Sequence, residues 1–191
     1  MEGIIQPFSV MVAVCRNRGI GYKGELPWPH FKSDYEYLTA TVNRCQPGKQ
    51  NAIICGRHTW FDTGDGKNNT ARYNIVISKT LSSYFSSQAP EGSNYLVPSL
   101  HDALVHASNL DYIENIWIFG GEGVYEGAIK HPMCQKIYIT RIEADFEADR
   151  FFPEFENDYE LTDDPAGVLT QVERGVTVKF EVYQRKQKQL L

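Results

Sequence analysis

A surplus of positive charge is missing from this chain of 191 residues, in which 19 Lys and Arg face 24 Asp and Glu for a formal net charge of -5. The basic residues are scattered apart from the run Arg185-Lys186-Gln187-Lys188, which reads as a solvated tail. An obligate nucleic-acid partner is therefore not expected. Cysteine is also scarce. Cys15, Cys45, Cys55 and Cys134 lack metal-ligand spacing and two of them lie in apolar runs, so they read as reduced core thiols, and no metal is expected. The first residues carry no basic stretch ahead of an apolar one, which argues against export, and no repeat or low-complexity segment interrupts the chain. The expectation is a cytoplasmic protein with no membrane partner, in which the sequon Asn68-Asn69-Thr70 is idle.

With 42% hydrophobic residues the chain can bury one sizeable core, and a single domain over residues 1–191 is expected. Short runs rich in Val, Ile and aromatics at 8–15, 52–55, 73–78, 94–97, 115–119 and 136–141 read as strands. They are continuously apolar, hence buried on both faces, and helical segments such as the one opened by Ser99-Leu100-His101-Asp102 separate them. Runs 159–162 and 176–183 have no helix between them and read as an antiparallel pair at the sheet edge, joined around Pro165 and Gly167. The fold class is therefore α/β: a mostly parallel, mixed sheet of about eight strands with about four helices on its two sides. Two connections, 17–29 and 63–72, are long and polar.

One carboxylate stands out. In Phe31-Lys32-Ser33-Asp34-Tyr35-Glu36-Tyr37-Leu38 the residues Phe31, Asp34, Tyr35 and Leu38 recur at helical spacing and share a face, with Lys32, Ser33 and Glu36 turned elsewhere. A carboxylate on such a face loses hydration and gains proton affinity, as suits a group that holds a protonatable ligand. The bland alternative is a capping box with Ser33 as N-cap and Asp34 favoured by the helix dipole. Pro29 at the first helical position would instead place Asp34 past the first turn.

Ligands of a parallel sheet bind beyond the carboxyl ends of its strands. Three such ends carry polar chemistry: Gly120-Gly121-Glu122-Gly123-Val124-Tyr125, where glycines can bring backbone N–H groups against a diphosphate; Gly56-Arg57-His58-Thr59; and Ser78-Lys79-Thr80, suited to a phosphomonoester. Each on its own is equally consistent with a structural turn or ordinary surface.

Taken in order, these segments resemble dihydrofolate reductase of the monofunctional animal type. The signatures are Val12-Ala13-Val14 leading to Asn17-Arg18-Gly19-Ile20-Gly21, then Gly24-Glu25-Leu26-Pro27-Trp28-Pro29, Gly48-Lys49-Gln50-Asn51, Gly56-Arg57-His58-Thr59-Trp60-Phe61, Arg72, Trp117-Ile118-Phe119-Gly120-Gly121, Thr140-Arg141-Ile142, Phe151-Phe152-Pro153 and Lys179-Phe180-Glu181-Val182-Tyr183. The resemblance implies NADPH-dependent reduction of 7,8-dihydrofolate to 5,6,7,8-tetrahydrofolate, with folate as a second candidate substrate, by a monomer that antifolates inhibit. It implies that Asp34 holds the pterin and promotes N5 protonation through water, that Trp28 orders that water beside Leu26, that Thr140 braces Asp34, and that Tyr125 closes the site. On the substrate side it implies Met11, Val12, Ala13 and Phe119 at the pterin edge, Tyr35, Leu38, Phe61 and Thr63 along the path, and Arg72 on the α-carboxylate of the glutamate tail. For the cofactor it implies Ala13, Ile20, Gly21, Phe119 and Tyr125 near the nicotinamide and Gly120, Gly121, Glu122, Gly123 and Val124 at the diphosphate. Gly56, Arg57, His58, Thr59, Ser78 and Lys79 take the remaining phosphate side, with Ser99 by the adenosine.

The chain departs from the family pattern in places. Leu38 stands where a phenylalanine usually packs on the ligand rings, a loss of about 1 kcal/mol for an aromatic contact. Tyr35 occupies a commonly apolar position, Pro98 replaces an arginine near the 2′-phosphate, and Asn68 and Asn69 stand where a Pro-Leu pair is usual. A non-catalytic regulator binding pterin, nucleotide or messenger RNA, and a reductase of the same fold acting on another heteroaromatic ring, remain the alternatives.

Overall fold

The computed structural model describes residues 4–62, 72–80, 94–163 and 170–187. The strands are β1 (Phe8–Val14), β2 (Gly19–Gly21), β3 (Gln50–Gly56), β4 (Arg72–Ile77), β5 (Tyr95–Val97), β6 (Ile113–Ile118), β7 (Cys134–Ile142), β8 (Arg150–Phe151), β9 (Tyr159–Thr162), β10 (Thr170–Glu173) and β11 (Val176–Arg185). The helices are α1 (Lys32–Val42), α2 (Arg57–Asp62), α3 (Leu100–Ser108) and α4 (Glu122–Lys130). Thr63, the segment holding Asn68 and Asn69, the residues around Pro165 and Gly167, and Lys188 lie outside the described residues.

Among the described residues nine strands form the main sheet, in the order β10-β11-β7-β1-β6-β3-β4-β5, with β9 also paired to β11. The six strands from β7 to β5 are parallel, so their carboxyl ends gather on one edge, and β11 runs antiparallel to β7. β9 and β10 share the outer edge of β11, β10 pairing with its first residues and β9 with its last. The antiparallel pair expected at the C-terminus is thus β9 with β11, and the intervening β10 was not anticipated because Thr-Gln-Val-Glu carries too little apolar character. A second departure lies in the loop 17–29. It contains β2, which pairs with β8 in a separate two-stranded sheet.

Side chains alternate across the sheet as strand geometry requires. Val10, Val12, Val14, Ala52, Ile54, Ile116, Ile118, Ile137 and Ile139 meet α3 and α4 on one face. On the other face Met11, Ile53 and Trp117 meet Val42 of α1, and Cys55 and Val76 meet Trp60 of α2. All four cysteines are free, and Cys134 is buried along with Cys15 and Cys55. Ser99 caps α3, its hydroxyl accepting from Asp102 N at 3.1 Å, as the sequence signature requires.

Candidate active site

Helix α1 carries Asp34 in its first turn, yet neither expected start is used. The N-cap is Phe31, without a side-chain acceptor, so Ser33 lies inside the helix and Pro29 precedes it. The inward stripe is also displaced. Ser33 and Tyr37 are buried and Tyr37 packs on Phe180 with ring centroids 4.3 Å apart, whereas Tyr35 is 44% exposed. The C-terminal hairpin lies against the start of α1 and gives Ser33 a polar partner, so a serine turns inward where an apolar count would turn it out. Asp34 and Leu38 are partly buried, and Leu38 packs against the cluster of Met11, Val42, Ile53 and Trp117.

The Asp34 carboxyl is held above its ordinary proton affinity, chiefly because burial strips its water. A hydrogen bond with Thr140, a residue of β7 that is 1% exposed, works in the opposite direction, as does the imidazole of His30, while Glu173 adds to the rise. Trp28 is buried nearby with Phe31 and Tyr37. Tyr125 is buried in α4 and donates its hydroxyl to the backbone carbonyl of Met11 at 2.8 Å. Burial pushes its phenol far up, so it stays protonated. Arg72 is 7% exposed, donates from Nε to Asn43 Oδ1 at 2.6 Å, and lies 6.0 Å from the Phe119 ring centroid. Phe119 follows β6, its N–H bonded to Ile54 O. Leu26 and Phe61, at 55% and 51% exposed, stand at the surface rather than in the buried part.

The three polar strand ends are neighbours. Gly56 N donates to Gly120 O at 2.7 Å, and a Cβ placed on Gly121 would stand 3.1 Å from Thr59 Oγ1. A Cβ on Gly56 would lie 3.5 Å from Val124, and Ser78 N donates to Val97 O. Arg57 and His58 begin α2, and Lys79 lies exposed just past β4. Gly120 has φ +96 and lies so close to Tyr125 that a Cβ would stand 2.5 Å from its ring. Ile20 and Gly21 lie in β2, joined to β8 and thence to Glu122, whose carboxylate accepts from Phe151 N at 2.9 Å.

The family model described as dihydrofolate reductase matches residues 7–185. The chain belongs to the dihydrofolate reductase family. The dihydrofolate reductase of Gallus gallus is 38% identical over 190 residues, 95% of this chain and 97% of its own length. That of Drosophila melanogaster is 39% identical over 184 residues, 93% and 97%. The viral dihydrofolate reductase of Saimiriine herpesvirus 2 is 38% identical over 185 residues, 93% and 84%.

Membership of the dihydrofolate reductase family brings NADPH-dependent reduction of dihydrofolate, and the residues present fit that cofactor. Gly123 opens onto empty space, with nothing within 4 Å of where its Cβ would be. The N-terminus of α4 is thus open to approach, as binding of a diphosphate there would require. The hydroxyl of Ser99, expected beside the adenosine, is engaged with Asp102.

Three residues of this dihydrofolate reductase fold were not singled out from sequence. Asn43 receives Arg72. Asn51 donates from Nδ2 to the carbonyls of Val42 and Arg44 at the end of α1, at 2.8 and 2.9 Å. Glu173 meets the start of that helix. Asn51 lies within the signature Gly48-Lys49-Gln50-Asn51, but Asn43 and Glu173 leave no trace in local patterning because their partners are remote in sequence.

Proposed function

We propose that Asp34 carries the proton side of dihydrofolate reduction in this chain, and that the surrounding cleft holds the pterin against the nicotinamide. The overall reaction is that of the family: 7,8-dihydrofolate, NADPH and one proton give 5,6,7,8-tetrahydrofolate and NADP+. One observation supports the role of Asp34 above the rest, a buried carboxyl of raised proton affinity with a hydroxyl donor on it.

The Asp34 carboxylate would accept hydrogen bonds from the 2-amino group and N3 of the pterin, and these are strong because one partner is charged. Thr140 would keep the carboxylate oriented, and Trp28 would order the water through which N5 gains its proton. NADPH, when bound, supplies the hydride that C6 of the pterin accepts. Met11, Val12, Ala13 and Phe119 would line the pterin edge, with Tyr125 holding β1 against α4 through Met11. Arg72 would grip the α-carboxylate of the tail, since its guanidinium offers a planar fork with Nε already anchored. Leu38, Tyr35, Leu26, Phe61 and Thr63 would flank the path between.

For the cofactor, Ile20 and Gly21 would contact the nicotinamide, and the backbone from Gly120 to Val124, with Gly56 and Thr59, would take the diphosphate. Arg57, His58, Ser78 and Lys79 would take the remaining phosphate, with Ser99 by the adenosine. We read the chain as one domain and a cytoplasmic monomer, for which light scattering is expected to give 21.8 kDa.

The test follows NADPH absorbance with dihydrofolate across pH, in the parent and in Asp34→Asn. Oxidation is expected to fall by at least a hundredfold at neutral pH in the variant, within the range for loss of a general acid, and to recover partly in acid. A variant as active as the parent at neutral pH would remove Asp34 from the mechanism.

A further inference from the structure

Helix α1 does not finish its own N-terminus. Its first N–H groups have no intrahelical partner, as in any helix, and the N-cap Phe31 has no oxygen to offer them. Glu173 serves instead, 140 residues further along. Lys32 N donates to Glu173 Oε1 at 2.8 Å, Ser33 N to Oε2 at 2.9 Å, and the Ser33 hydroxyl to Oε2 at 2.7 Å. The carboxylate is delivered by the turn between β10 and β11, where Arg174 and Gly175 take φ of 51 and 76 and Glu173 pairs with Val176. Two consecutive left-handed residues make the tight turn that suits the twist of a hairpin. β11 then runs beside β7, Phe180 opposite Thr140. Asp34 is therefore framed by two strands that flank β11: Thr140 of β7 bonds its carboxyl and Glu173 of β10 bonds its helix.

We propose that Glu173 is a positioning residue of the reductase reaction, a cap supplied across the fold that fixes the first turn of α1 and neutralises the positive end of that helix for Asp34. The inference rests on the role proposed for Asp34.

A carboxyl in the first turn of a helix normally feels partial positive charge from unbonded N–H groups, which favours its ionised form and opposes proton uptake. A carboxylate bonded to those same groups cancels that charge. Besides the Thr140 hydroxyl of β7, which donates a hydrogen bond, three titratable groups face Asp34: His30 from the segment before α1 favours ionisation, Glu173 from β10 opposes it, and the Tyr125 phenol lies within electrostatic reach from α4. Glu173 is itself pushed down to about 2 by the Ser33 N–H, the Ser33 hydroxyl and the Lys32 N–H. It stays anionic wherever Asp34 titrates.

The experiment measures the rate of a single turnover against pH, by rapid mixing of NADPH-loaded enzyme with saturating dihydrofolate, for the parent, Glu173→Gln and Glu173→Ala. Thermal unfolding and the KM for dihydrofolate are recorded alongside. Glu173→Gln keeps an acceptor oxygen but removes the charge, so the pH at which the rate halves is expected to fall by about half a unit, about a threefold loss above that midpoint. Glu173→Ala is expected to shift it at least as far and to lower Tm, with KM within twofold in both. A midpoint that stays put in Glu173→Gln, whatever happens to Tm, or one that moves to higher pH, overturns the proposal. If Asp34→Asn keeps the parent's rate and midpoint, the role of Asp34 falls and this inference with it. If Asp34→Asn loses the midpoint while Glu173→Gln retains it, only Glu173 is wrongly placed.

Discussion

The Nε of Arg72 donates to the Oδ1 of Asn43 at 2.6 Å, so the C-cap residue of α1 orients the guanidinium assigned to the glutamate tail. With Nε held, the terminal nitrogens present one edge of the fork. Asn43→Ala is expected to raise the KM for dihydrofolate about tenfold, or about 1.4 kcal/mol, at the low end for a hydrogen bond to a charged group. A dihydropterin lacking the benzoyl-glutamate arm is the control. Its KM is expected to be unchanged, and an equal loss on both substrates would deny Asn43 this role.

Gly123 faces open space, whereas a side chain at Gly120 would run into Tyr125. Gly123→Ala meets no atom and replaces glycine in a helix, so the ligand-free protein is expected to gain about 0.5–1 kcal/mol while NADPH binding weakens. Gly120→Ala puts a methyl into the Tyr125 ring at positive φ and is expected to lower both stability and NADPH affinity. Thermal unfolding with a fluorescence titration of NADPH separates the two, and unaltered affinity in Gly123→Ala would mean that the diphosphate lies elsewhere.

Leu38 is partly buried beside Met11 and Trp117, where the family resemblance implies an aromatic ring. Leu38→Phe is expected to tighten a pteridine antifolate by about 1 kcal/mol, roughly fivefold in the inhibition constant. An unchanged constant would mean that the ring finds no ligand face to pack on.

Asp34 should also cost stability where it is ionised. Its proton affinity is raised in the fold from an ordinary value near 3.8, so the folded chain binds this proton more tightly than the unfolded one. The resulting stabilisation is fully present below about 3.8 and is lost as pH rises through the folded value. Urea unfolding of ligand-free Asp34→Asn should therefore show a variant at least as stable as the parent at pH 8, with an advantage that shrinks toward pH 4. An advantage that grows in acid would reverse the assigned direction.

The parallel strands were readable because each is a short apolar run, and Ser99 was readable because a cap and its acceptor stand three residues apart. Asp34 could be found for the same reason, as a charge in a mostly apolar stretch. The face it shares could not. Ser33 turns inward and Tyr35 outward because of the β10–β11 hairpin, and helical spacing takes no account of what packs on a helix from elsewhere. Asn43 and Glu173 escaped notice likewise, being polar residues whose side-chain partners are distant in sequence. The short strands β2, β8 and β10 have too few side chains to produce a periodicity.

β11 is the longest strand of the sheet and the last, and it lies between β7 on one side and β9 and β10 on the other. During synthesis it leaves the ribosome after the other described strands of that sheet. Until it does, β7 has an open edge, and both the turn that presents Glu173 and the wall behind Thr140 are incomplete. A nascent chain therefore cannot assemble the setting of Asp34 piecemeal, although Asp34 itself was translated long before, and that setting is complete only once β11 has formed between its neighbours.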